Sequence, residues 1–127
     1  MTDRSGQRFY PGLAPIEASG NGGFRFAGMS HRGSLLCLPD GIWAWPVARP
    51  EDVTEVTLAP VFARAEAIAL FLIGSGRNVW TVPAALRMRF HELKLNVETT
   101  RTGTAVSTYN ILLAEGRRVA AALIAVE

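Results

Sequence analysis

A single α/β domain, a mixed β-sheet with packed helices, is the fold this sequence predicts, on three observations. Its 127 residues are 49% hydrophobic with one cysteine, enough to bury a sizeable core without metal or disulfide staples. Residues 67–73 read Ala-Ile-Ala-Leu-Phe-Leu-Ile, apolar on both faces, as a central strand covered on each side requires. Strand patterns come first along the chain, and helix and strand patterns then alternate to its end, an order that suits helices laid on a mixed sheet.

Residues 1–15 combine Gly, Pro, Ser and charge without periodicity and are expected to form a flexible N-terminal arm, with the domain spanning 16–127. Residues 23–29 alternate as Phe-Arg-Phe-Ala. The apolar run 33–38 then ends in Pro39-Asp40-Gly41, a turn that returns the chain into the extended segment 42–46 as a hairpin. Trp43 and Trp45 share one face of that segment, as a ligand platform, as the cover of a sheet, or as the seed of a homodimer interface. Thr57 is placed to cap a short helix over 58–65, with Pro60 in its first turn.

The core strand stops at Gly74-Ser75-Gly76-Arg77, and residues 79–82 read as a further extended piece. Pro83 opens an amphipathic helix with Leu86, Phe90 and Leu93 on one face. Residues 95–99 read as a strand. A helix follows from the 101–104 region, with Ala105, Thr108, Tyr109, Leu112 and Leu113 on one face, and Gly116 closes it. Val119, Ile124 and Val126 bracket three alanines and favour a strand over a helix for 117–126. Right-handed crossovers then place Gly74–Arg77 at the carboxyl end of a central strand, where open α/β sheets form their crevice.

Charge argues against nucleic acid as a partner. Thirteen basic residues face eleven acidic ones, for a net charge of +2, and they are scattered along the chain. The longest apolar run, 67–74, is far short of the roughly 20 residues of a membrane span. The start, MTDRSGQRFYPGL, has no apolar stretch of a signal peptide, so a cytoplasmic protein is expected. A lone cysteine excludes an internal disulfide.

Each candidate chemistry has a structural counterpart. Gly20-Asn21-Gly22-Gly23 has the glycines of a dinucleotide loop but precedes a strand. Gly74-Ser75-Gly76-Arg77 can hold a carboxylate or phosphate with its amides and guanidinium, or be a tight connection. His91-Glu92 opens like a zinc-protease helix, but Leu95 stands where the second histidine belongs, and no metal or cofactor is predicted. Cys37 lies in an apolar segment as an inert thiol. A Ser34 or Ser75, His31 and Asp40 arrangement has no elbow motif behind it, and no catalytic residue is assigned. Thr108, Tyr109 and Asn110 with Glu115 and Arg117 form the densest polar cluster. It is either a network locking helix to strand or one wall of a crevice shared with Gly74–Arg77, Glu115 serving as acid or base.

The stretch Leu72-Ile73-Gly74-Ser75-Gly76, the helix at Pro83, Glu98-Thr99-Thr100 and above all the run from Ser107-Thr108-Tyr109-Asn110 to Ala120-Ala121-Ala122-Leu123 resemble the Mth-like domain family. That family includes an adipogenesis-associated protein and a mitochondrial complex I assembly factor. The resemblance covers roughly residues 16–126. It implies a small three-layer α/β fold with a mixed sheet, and a non-enzymatic assembly factor that works through a protein partner. The alternative is a binder or enzyme for a small anionic metabolite in the Gly74–Arg77 crevice, as monomer or homodimer.

Overall fold

The computed structural model describes residues 8–127. Its main sheet has six strands in the order β1 (Arg8–Tyr10), β6 (Gly41–Trp45), β5 (Ser34–Leu38), β9 (Val119–Leu123), β7 (Leu70–Gly74) and β8 (Val97–Thr100). β9 runs antiparallel to β5 and parallel to β7, and β7 runs parallel to β8, so the sheet is mixed. Three helices pack on it: α1 (Ala59–Phe62), α2 (Ala84–Glu92) and α3 (Thr102–Ala114). A second sheet orders β2 (Ile16–Gly20), β3 (Gly23–Phe26) and β4 (Met29–Arg32).

The period of two along each strand divides the core into two layers. Leu36, Leu38, Trp45, Phe71, Ile73, Ala120 and Ala122 point toward Leu58 and Val61 around α1 and Leu86 and Phe90 of α2. Leu35, Cys37, Ile42, Leu72, Val119, Ala121 and Leu123 point the other way, toward Ala105 and Tyr109 of α3 and Phe24 and Phe26 of the small sheet. This is the expected three-layer arrangement. The alanines of β9 divide between the layers, Ala120 and Ala122 on the α2 side and Ala121 on the α3 side. Phe90 stands edge-on to Phe62 and Phe71, with ring centroids 5.9 and 6.4 Å away.

Several elements depart from expectation. Residues 1–7 of the predicted arm lie outside the described residues, but from Arg8 the chain is part of the fold. β1 pairs with β6, and Ala14 is buried. Three residues carry no strand signal of their own and gain order only from the distant β6. The helix expected over 58–65 is four residues long and passes into a 3-10 turn at Ala65–Ala67, and Thr57 does not cap it. The Thr57 hydroxyl donates to the Asp52 carbonyl instead, at 2.9 Å. Residues 79–82 join no sheet, and Leu95 turns into the core before β8 begins, past Lys94 in the left-handed conformation at φ 55°. The Gly20-Asn21-Gly22-Gly23 segment is the tight β2–β3 turn, with φ of 53° at Asn21 and 78° at Gly22. Among the described residues no helix is long and apolar enough to cross a membrane.

Candidate functional site

The chain turns at the carboxyl end of β7, between two parallel neighbours. Ser75 and Thr102 are buried polar residues there, and both hydroxyls are committed. Ser75 Oγ donates to the Asn78 carbonyl at 2.7 Å, and Ser75 N to the Thr100 carbonyl at 2.8 Å. Thr102 Oγ1 accepts from Gly76 N at 2.9 Å and donates to the Ile124 carbonyl at 2.7 Å. Thr102 N returns a bond to the Gly76 carbonyl at 3.0 Å, and Ile124 N one to the Gly74 carbonyl at 2.9 Å. The amides of Ser75 and Gly76 therefore tie β7 to β8 and α3, Thr102 carries the link on to Ile124, and these amides do not form an anion cradle. What the turn offers to solvent is Arg77, exposed, with one N–H of its guanidinium on the Glu127 carbonyl at 2.8 Å.

Two shallow clefts meet at Arg77. One, of about 410 Å³, runs past Glu51, Val79 and Trp80. The other, of about 720 Å³, runs along the start of α3 past Arg101, Thr104 and Ser107. Arg77, Arg101 and the hydroxyls of Thr104 and Ser107 supply donors for a carboxylate at this end of the sheet, beside the acidic Glu51 and Glu127, which line the same clefts.

The second half of the predicted site is elsewhere. Tyr109 is fully buried, and its hydroxyl donates to the Ala14 carbonyl at 2.9 Å. Asn110 clamps β2 from the side: its Oδ1 accepts from Ile16 N at 2.8 Å and its Nδ2 donates to the Ile16 carbonyl at 2.9 Å. Thr108 is half-buried on the same helix. Tyr109 and Asn110 tie α3 to the chain around residues 14–16, the structural alternative raised for them. Glu115 and Arg117 are exposed and form no ion pair with each other among the described residues.

The expected single crevice does not form. β7 and β9 run parallel with Leu70 beside Val119 and Gly74 beside Leu123. Arg117 therefore lies beside the start of β7 and Arg77 beyond its end, more than about 13 Å of strand apart. α3 spans that length, so residues at its two ends serve opposite ends of the sheet. Glu115 cannot act on a ligand held by Arg77.

The remaining candidates are also accounted for. Ser34 Oγ donates to the Val47 carbonyl at 2.6 Å and accepts from Ala125 N at 3.0 Å, while His31 meets the Ser34 carbonyl and not its hydroxyl. Asp40 is held by Arg64 through two bonds of 2.6 and 3.1 Å, and that guanidinium keeps its carboxyl below the usual range. These three residues make no nucleophilic relay. Burial pushes the Cys37 thiol up to about 12, partly offset by the Tyr109 hydroxyl beside it, which leaves it unionised and unreactive. No group of His, Cys, Asp and Glu among the described residues could hold a metal ion. Trp45 is buried and donates its Nε1–H to the Thr57 carbonyl at 2.8 Å, and Arg64 stacks over Trp43 at 5.0 Å. Trp45 covers the sheet, while the half-buried Trp43 shares with it the wall of an apolar cleft of about 510 Å³ that also takes in Leu36, Pro46, Val56 and Pro60.

Thr102 is the residue that sequence reasoning missed. Its signal was a threonine opening a helix directly after a strand, beside the Gly-Ser-Gly turn of a neighbouring strand.

Comparison with known proteins follows the same lines. Residues 16–124 match a family described as protein of unknown function, DUF498/DUF598. A crystal structure of an outer membrane protein from Bartonella henselae is 47% identical, with a TM-score of 0.89 over 93% of this chain and 99% of that one. A Bordetella pertussis protein solved in solution, a Mth938-like domain, is 26% identical, with a TM-score of 0.75 over 98% of this chain and 90% of its own. NADH dehydrogenase (ubiquinone) 1 alpha subcomplex assembly factor 3 of Mus musculus is 26% identical over 118 residues, which are 93% of this chain and 64% of that protein's length. The resemblance drawn from the Thr108-Tyr109-Asn110 stretch is borne out.

Proposed function

The chain belongs to the DUF498/DUF598 family of proteins of unknown function, and from that premise we propose that it is a non-enzymatic interaction or assembly factor for a respiratory or other membrane complex, acting from the cytoplasm. Kinship with the mouse assembly factor carries the reading. Because the chain spans 64% of that relative, the kinship supports a shared mode of action through protein partners and not a shared target.

The docking point we assign is the end of β7. Arg77 commits one N–H to the Glu127 carbonyl, and a guanidinium has five, so a partner's carboxylate can still be gripped in the bidentate manner. Tagged protein recovered gently from its own cells and analysed by native mass spectrometry should carry a stoichiometric protein partner. Arg77→Ala should lower that recovery about tenfold with an unchanged circular dichroism spectrum, the loss expected for one charge-assisted contact. A chain that retains a small anion, lost on Arg77→Ala, and no protein would overturn the assembly reading in favour of a metabolite binder. The same spectrum counts subunits.

A further inference from the structure

The outer face of the small sheet carries an arrangement that neither the fold nor the Arg77 site uses. Register puts Ala18, Arg25 and Ser30 in one cross-strand row and Gly20, Gly23 and Arg32 in the row two residues along. Phe24 and Phe26 are buried on the inner face, so Arg25 and Arg32 both project outward, and both are exposed. Between them on the diagonal lie the buried Gly23 and the exposed Ser30, and a cleft of about 430 Å³ lies over this face.

Neither guanidinium has a carboxylate within ion-pair distance among the described residues. Arg25 is braced by Ser30 Oγ at 3.0 Å. Glu17 is the one acid on these three strands, and it accepts from Gly28 N at 3.2 Å, at the far turn. Arg64 and Arg89, by contrast, have carboxylates of their own. Arg32 also borders a cleft lined by Asp52 and Glu127, but neither carboxylate reaches ion-pair distance, and the two arginines on this one face make a complement for an acidic surface.

The spacing narrows the occupant. Diagonal neighbours on adjacent antiparallel strands, two rows apart, stand roughly 7–8 Å from each other. Side chains at alternate positions of an extended chain stand about 6.6 Å apart on one side of it.

We propose that this face docks an extended acidic segment of a protein partner, with Asp or Glu at alternate positions meeting Arg25 and Arg32. That the occupant is a protein rests on the assembly-factor reading; the charge and spacing do not.

The test needs no natural partner. A capped peptide of five Glu-Thr repeats is titrated into the 15N-labelled chain. Amide shifts should move in residues 18–32, and the dissociation constant should weaken at least about tenfold between 50 and 300 mM salt, as exposed charge pairs do. The double variant Arg25→Ala, Arg32→Ala should lose about tenfold in affinity, whereas Arg117→Ala, Arg118→Ala, with the same net charge, should not. Reversing both charges, Arg25→Glu with Arg32→Glu, should transfer binding to a Lys-Thr repeat, which shows that the variant is folded. Shifts centred elsewhere, equal losses in the two double variants, or equally tight binding of inorganic phosphate would overturn the proposal. Failure to capture a partner at Arg77 would instead count against the assembly reading and leave this binding measurable.

Discussion

Thr102 shows how a single hydroxyl decides what a turn can do. Its oxygen takes the Gly76 amide and gives its proton to the Ile124 carbonyl, at full burial, so neither backbone group reaches solvent or ligand. Valine has nearly the same shape but neither bond. Thr102→Val leaves a buried donor and a buried acceptor unpaired, at about 1–3 kcal/mol each, and should lower unfolding free energy by roughly 2–6 kcal/mol. Thr102→Ser keeps both bonds and should cost about 1 kcal/mol for the lost methyl. Urea titrations of the three proteins check this, and a Val variant within 1 kcal/mol of the parent would mean that water or a shifted helix replaces the hydroxyl. Tyr109 and Asn110 follow the same logic, since their polar atoms hold Ala14 and Ile16 in place of a ligand.

At the scale of elements, the contact between α3 and β7 depends on a glycine. A Cβ at Gly74 would stand 3.0 Å from the Thr102 Cα and 3.1 Å from Leu123 Cδ2, and the first of these is backbone that cannot swing away. Gly74→Ala should therefore push the start of α3 off the sheet, at about 1–3 kcal/mol. Gly103, one residue into the same helix from Thr102, has nothing within 4 Å of its Cβ position. Gly103→Ala should stabilise by about 0.5–1 kcal/mol through helix propensity alone. Opposite signs in thermal melts, 29 residues apart in sequence but adjacent in space, would verify the packing; two stabilising alanines would refute it.

Elements with strong local signals were legible in the sequence. β7 is apolar on both faces, the Pro39-Asp40-Gly41 turn sets the β5–β6 register, and Gly116, at φ 76°, ends α3. Elements made by distant pairing were not: β1 owes its order to β6, and Thr57 turned to Asp52 in place of capping a helix. The end of β7 was located correctly as a turn after a core strand. Its grouping with Glu115 and Arg117 failed because closeness along the chain hides the length of α3, which carries those residues to the other end of the sheet. Arg25 was visible as the outward residue of Phe-Arg-Phe, but its pairing with Arg32 needs the β3–β4 register.

The whole molecule is best interrogated through Cys37. Its thiol is fully buried in β5, between β6 and β9, so a reagent meets it only when the sheet opens. At pH 8, alkylation of the native chain should be at least about a thousandfold slower than in urea, given ordinary domain stabilities. The thiol also links stability to pH. Burial holds its pKa at about 12 against an ordinary 9, so between those values the folded chain keeps a proton that the unfolded chain releases. The associated stability is complete below pH 9 and is lost as pH rises toward 12. From pH 8 to 10.5 the loss should be about 2 kcal/mol, over and above what Cys37→Ala shows across the same range. Equal pH dependence in the two proteins would mean that folding does not raise the thiol's pKa, and native alkylation near the unfolded rate would mean that β5 opens separately from the rest of the sheet. The expected result makes thiol labelling a direct measure of global unfolding, against which the Thr102 and Gly74 variants can be ranked.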